Sequence, residues 1–115
     1  MVGWLAANIA WSRIKSGPDA DLDAADSELQ VALERLPDSQ EVKATLGALR
    51  VTRGEPMTGE ALLIDALRIL DDPLDRADFC RYVAKARHDQ GDEAGATDAD
   101  RLRAHILARA FVPAR

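Results

Sequence analysis

SQEVKATLGALRVTRG, residues 39–54, decides the fold. Val42, Leu46 and Leu49 recur at intervals of four and three residues, which lays one apolar stripe along a helix. Gly54 ends that helix, because a residue without a side chain takes the left-handed backbone conformation without strain. The same features recur 37 residues upstream and downstream: Leu5/Val42/Phe79, Ile9/Leu46/Val83, Ala10/Gly47/Ala84, Arg13/Arg50/Arg87 and Gly17/Gly54/Gly91. A period of this length marks a stacked-hairpin architecture, in which each unit leaves an apolar face for its neighbour to cover.

Working outward, each unit reads as two helices. After Gly54, the residues Leu62, Leu63, Ala66, Leu67 and Leu70 form the inward stripe of a second helix, broken by Asp71-Asp72-Pro73. Unit one repeats the plan with Leu5 and Ile9, then Gly17-Pro18, then Leu22, Ala25, Leu29, Ala32, Leu33 and Leu36. Unit three supplies Phe79, Val83 and Ala86, then Gly91, then Ala96, Ala99, Leu102, Ile106 and Ala110. The expected helices span 3–16, 20–36, 39–53, 57–71, 75–90 and 93–111, with no strand, and the units span 3–38, 39–74 and 75–111. The short connections predict antiparallel pairs in one all-α domain.

Composition bounds the function. The 115 residues are enough for one modest core. A net charge of −5 disfavours nucleic acid as a partner, since phosphate neutralisation needs a basic contact surface. Cys80 is the one cysteine, so no internal disulfide forms, and its place on an apolar stripe predicts a buried thiol. The apolar run from Met1 to Trp11 is interrupted by Asn8 and has no basic start. It therefore reads neither as a spanning helix nor as a signal peptide, and a cytoplasmic location is the expectation. Arginine outnumbers lysine and alanine is abundant, the bias of a GC-rich bacterial coding sequence.

Leu46-Gly47, Gly54, Gly59, Leu63 and Ala66 of unit two, with Asn8-Ile9-Ala10, Gly17, Ala25, Leu29, Ala32 and Pro37 of unit one, resemble the tetratricopeptide repeat. The resemblance covers nearly the whole chain and implies a right-handed stack of antiparallel helix pairs, an α-α superhelix. It also places Gly47 at a close crossing of the two helices of unit two, opposite Ala66. The period here exceeds the family's 34 residues. The extra residues fall around Asp19 to Asp23 in unit one and around Pro73 to Asp75 after unit two. Asp100 and Arg103 stand where the pattern wants apolar or small residues, which makes the last helix the terminal cap.

Catalytic chemistry has little to stand on. Asp19-x-Asp21-x-Asp23 imitates the start of a calcium loop, but Ala24 replaces the needed glycine and Gln30 the bidentate glutamate. Acidic residues at a helix start, here and at Asp72, Asp75 and Asp78, oppose the helix dipole. His88 and His105 belong to no set with metal-ligand spacing, and no nucleophile elbow or phosphate loop occurs. No metal or cofactor is expected, and the chain reads as a non-enzyme. The Arg13/Arg50/Arg87 ladder is either an anion-binding column or a set of stems packed on neighbouring helices with heads paired to carboxylates. The second reading explains why it follows the packing period.

Trp4 and Trp11 lie seven residues apart, nearly on one face of the first helix, with Ile14 toward the same side. Leu5 and Ile9 are expected to pack on the second helix, leaving the tryptophans as a separate apolar face. In the family, the first helices of successive units line a concave groove. Carried over, that lining is Trp4, Ala7, Trp11 and Ile14, then Glu41, Ala44, Thr45, Ala48 and Thr52, then Arg81, Tyr82, Lys85 and His88. Ala7 and Trp11 occupy the lysine and asparagine places of the family's carboxylate clamp, so that ligand class is not expected. The resemblance implies a non-catalytic module binding a peptide or helix of a partner. The alternatives are a structural protein that self-associates through the first helix and an accessory or regulatory domain of a larger protein, such as a membrane protease or a kinase.

Overall fold

Gly54 and Gly91 have φ of +87° and +81°, and each completes a helix end in the same way. Past Thr52, the Gly54 N–H donates to the Val51 carbonyl and the Glu55 N–H to the Arg50 carbonyl; past Asp89, Gly91 donates to His88 and Asp92 to Arg87. These paired bonds satisfy carbonyls that the helix leaves open. Gly17 also has positive φ, +90°, but the residue after it is a proline, which has no N–H for the longer bond. The connection there is correspondingly longer, with Ala20 donating to the Gly17 carbonyl and Asp21 capping the next helix by accepting from the Ala24 N–H.

A computed structural model describes residues 2–17 and 20–111. Six helices occupy them: α1 (Val2–Lys15), α2 (Leu22–Arg35), α3 (Gln40–Thr52), α4 (Pro56–Leu67), α5 (Pro73–Asp89) and α6 (Glu93–Ala110), with no strand among the described residues. The C-termini of α1, α3 and α5 fall 37 residues apart, matching the glycines. Pro18 and Asp19, and so part of the calcium-like run, lie outside the described residues. Replacing Gly91 with alanine meets no atom within 4 Å. It should still cost about 1–2 kcal/mol through the left-handed backbone alone, read as a lower urea midpoint at unchanged m-value.

One boundary shifts for a physical reason. Asp72 is drawn into capping α5, accepting from the Asp75 N–H at 2.9 Å, with Pro73 in the first turn. The extra residues of unit two therefore lengthen α5 instead of forming a loop, and α4 stops at Leu67, short of the expected 71. Leu70 stays buried although it is no longer helical.

Each first helix packs on its own second helix and, in units two and three, also on both helices of the preceding unit. The residues recurring every 37 positions serve this second contact. Val42 is 1% exposed among Ala7, Ala10, Leu29 and Ala32 of unit one, and Phe79 and Val83 lie among Ala44, Val51, Leu63 and Ala66 of unit two. Unit one has no earlier unit among the described residues, so Leu5 and Ile9 are 55% and 39% exposed, contrary to the expectation that they pack on α2. From α1, the core shared with α2 and α3 takes small residues, Ala7 and Ala10, together with Ile14. Gly3 belongs to the same close approach, since a Cβ there would lie 2.6 Å from Arg35 Cβ.

The α3/α4 crossing is also glycine-mediated. Gly47 has the Gly59 carbonyl, Leu62 and Leu63 as its nearest neighbours on α4, and Gly59 in turn lies against Val51 and the Gly47 carbonyl. Earlier residues of α3 meet later residues of α4, so the pair is antiparallel. At the far end, α6 packs on α5 alone. One face of it is therefore covered, at Ala96, Ala99 and Ile106, while Leu102 and Ala110 are exposed, as are Asp100 and Arg101.

Candidate functional site

Trp11 reaches from α1 across α3 to α5. Its ring centroid lies 4.7 Å from that of Phe79 and 5.4 Å from that of Tyr82, both tilted contacts of the kind that aromatic quadrupoles favour. The groove between α1 and α5, with α3 as its floor, is thereby divided. On one side is a cleft of about 200 Å³ lined by Trp4, Ala7, Asn8, Glu41, Thr45 and Asp75, with Trp11 and Phe79 as its inner wall. On the other is a cleft of about 450 Å³ lined by Ile14, Thr52, Arg81, Tyr82, Lys15 and Lys85.

The two tryptophans share the first cleft but not an environment. Trp4 is 58% exposed, whereas Trp11 is half-buried against both core clusters, so the pair is not one free apolar face. Ile14 and Thr45 touch the clefts while being nearly inaccessible, and Ala44 and Ala48 are wholly inside the core. The Thr45 hydroxyl donates to the Glu41 carbonyl one turn earlier, which accounts for a buried polar group. Arg81, Tyr82 and Lys85 come together as expected. His88 does not join them; its Nδ1 lies 2.6 Å from Glu93 at the start of α6. The sequence reading left Asn8, Lys15, Asp75 and Phe79 out of the lining.

The groove is electrostatically two-ended. Glu41 and Asp75 stand in the first turns of α3 and α5, where carboxylates suit the dipole, while Lys15 is in the last turn of α1. The three helices run in the same direction, so the acidic starts of α3 and α5 gather in one cleft and basic residues in the other. Lys15 sits 4.9 Å from the Trp11 ring centroid, a cation–π distance, and 3.9 Å from Asp78. Burial holds the Asp75 carboxyl above the usual carboxylate range, and the nearby charges of Asp72, Glu41 and Asp78 add to this while Lys15 opposes it. Burial likewise raises the Tyr82 phenol, with Arg81 opposing, and raises the Cys80 thiol.

A carboxyl raised in the folded state takes up its proton at higher pH there than in the unfolded chain. Its ionisation therefore weakens the fold as pH rises through the folded pKa, and below the unfolded value the effect is gone. Asp75→Asn should accordingly raise the thermal midpoint at pH 7, with the difference from wild type shrinking toward zero below pH about 3.8, the ordinary value. Melting curves between pH 3 and 7 check this.

The arginine ladder is structural. Arg13 Nε donates to Glu28 of α2 at 2.8 Å, Arg50 lies 3.5 Å from Glu55, and Arg87 Nε donates to Glu60 of α4 at 3.1 Å and also bonds the Gly95 carbonyl. Each stands at the last turn of its helix, where a cation complements the dipole. A second set ties adjacent units: Arg53 pairs with Asp23, and 37 residues later Gln90 donates to Glu60 at 2.8 Å. Asp21 and Asp23 are thus occupied as a helix cap and an ion-pair partner.

No protein-family model, curated protein or solved structure matches this chain. The function is argued from the geometry of the groove.

Proposed function

We propose that the chain is a non-catalytic interaction module of the tetratricopeptide-like kind, holding a segment of a partner protein in the groove between α1, α3 and α5. The supporting observation is Trp4, a large ring left 58% exposed at the rim of a cleft whose inner wall is already aromatic. Tryptophan, tyrosine and arginine are the residues that dominate binding hot spots, and Trp4, Tyr82 and Arg81 line this one groove. Affinity capture from cell lysate with the wild-type chain and with a Trp4→Ala, Arg81→Glu variant provides the test. A protein retained by the first and lost by the second supports the reading. Retention of the same set by both contradicts it.

The second reading is self-association, favoured by a different observation: Leu5 and Ile9 are exposed at positions whose counterparts Val42, Leu46, Phe79 and Val83 are covered by a neighbouring unit. Head-to-tail stacking onto α6 is disfavoured, because that helix carries Asp100 and Arg103 where α4 carries Leu63 and Ala66. Pairing of two α1 edges remains the relevant geometry. Light scattering over a wide concentration range reads it directly, and a monomer throughout removes it.

A further inference from the structure

The two clefts differ in charge as well as in place, and this specifies what an occupant must carry. In the first, Glu41 accepts from the Ser39 hydroxyl at 3.1 Å, and neither Glu41 nor Asp75 pairs with a cation among the described residues. The rings of Trp4 and Trp11 line the same space. Carboxylates beside aromatic faces suit a guanidinium, which is planar, stacks on rings and presents a fork of donors to carboxylates. In the second cleft, Lys15, Arg81 and Lys85 converge; Lys85 is held by Asp89 at 2.7 Å and Lys15 is near Asp78, while Arg81, which lines the cleft with Tyr82, pairs with no carboxylate among the described residues. That end suits a carboxylate.

The spacing follows from the helices. Along α1 the first cleft is lined from Trp4 to Trp11 and the second from Ile14 onward. At 1.5 Å per residue, the centres lie roughly 11 Å apart. An extended chain covers that in three or four residues at about 3.3 Å each. Trp11 stands between the clefts, so a helix of about 10–12 Å diameter would not enter both, whereas an extended segment crosses the ring and drops a side chain on either side.

We infer that the groove takes an extended peptide segment of a partner bearing an arginine in the Glu41/Asp75 cleft and an aspartate or glutamate three or four residues away in the Lys15/Arg81/Lys85 cleft. This rests on the groove reading above and adds the chemistry of the ligand. It is distinct from capture of a chain's terminal carboxylate, since both anchors are side chains and the cationic one sits against tryptophan.

The test is selection of a random dodecapeptide display library on the full chain, followed by synthesis of the strongest binders. The expected result is enrichment of arginine three or four residues from an acidic residue. Replacing that arginine by glutamine should weaken binding about ten- to a hundredfold, the range for hydrogen bonds to charged groups. Glu41→Gln with Asp75→Asn should produce the same loss, and the glutamine peptide should then bind this variant no worse than the arginine peptide does. Circular dichroism confirms that the variant is folded. Selected peptides that depend on Trp4 but show no arginine preference would overturn the charge assignment and leave the groove reading standing. Binders indifferent to Trp4→Ala and to Arg81→Glu, or no binders at all, would overturn both.

Discussion

Replacing Gly59 with leucine should lower the thermal midpoint more than any other single change at a glycine. A Cβ at position 59 would lie 2.5 Å from Val51 Cγ2, 2.6 Å from the Gly47 carbonyl oxygen and 2.8 Å from the Val51 nitrogen. Two of these three atoms are backbone, within a helix that cannot yield locally, so α3 and α4 must separate. Overpacking of a fitted core costs about 1–3 kcal/mol and occasionally more, and this site belongs at or above the upper end. At about 4 °C per kcal/mol for a chain of this length, the midpoint should fall by roughly 12 °C or more. Gly47→Leu should behave alike, because its neighbours include the Gly59 carbonyl at 2.9 Å. A midpoint unmoved by Gly59→Leu would mean that the helices do not cross there.

The two tryptophans should part company on substitution. Trp11 is packed against Phe79 and Tyr82, and its ring joins the core of unit one to that of unit two. Truncating a buried Trp or Phe to alanine costs about 3–5 kcal/mol, so a half-buried ring with two aromatic neighbours should cost about 2–4 kcal/mol. Trp4 is mostly in water, and its loss should stay within about 0.5 kcal/mol, as for other surface sites. Urea denaturation of the two single variants measures both. Equal losses would contradict the division of the groove by Trp11. Because of this difference, Trp4→Ala is the variant that probes binding, and a Trp4/Trp11 double change would mix binding with folding.

The parts of this architecture that were legible in the sequence are those fixed by local chemistry. A helix end with positive φ admits glycine and little else, so Gly17, Gly54 and Gly91 mark the ends of α1, α3 and α5 without any knowledge of packing. The caps by Asp21, Ser39 and Asp72 are just as local but went unread, which is why α2 and α5 were expected to begin at 20 and 75 and begin instead at 22 and 73. What escaped the sequence depends on which neighbour covers a residue. Leu5 and Ile9 carry the same signal as Val42 and Leu46, and they are exposed because no earlier unit covers them among the described residues. Gly47 is a crossing residue, as the resemblance implies, and which residues of α4 lie nearest to it depends on the axial offset of α4, which no periodicity encodes. Asp75 was missed because it reads as an ordinary first-turn acid. The signal that would have found it is alignment of helix starts, since residues 41 and 75 occupy nearby turns of parallel helices and so converge across the groove.

The chain contains two indole N–H groups, Trp4 and Trp11, and they border the same cleft. Their two signals in a nitrogen–proton correlation spectrum, followed during titration with a selected peptide, give the most direct reading of the groove as a binding site. The account predicts that both move with one saturating curve, Trp4 by the larger amount because its ring is open to the ligand. Two unmoved indoles, with shifts appearing instead around Leu5 and Ile9 or along α6, would contradict it.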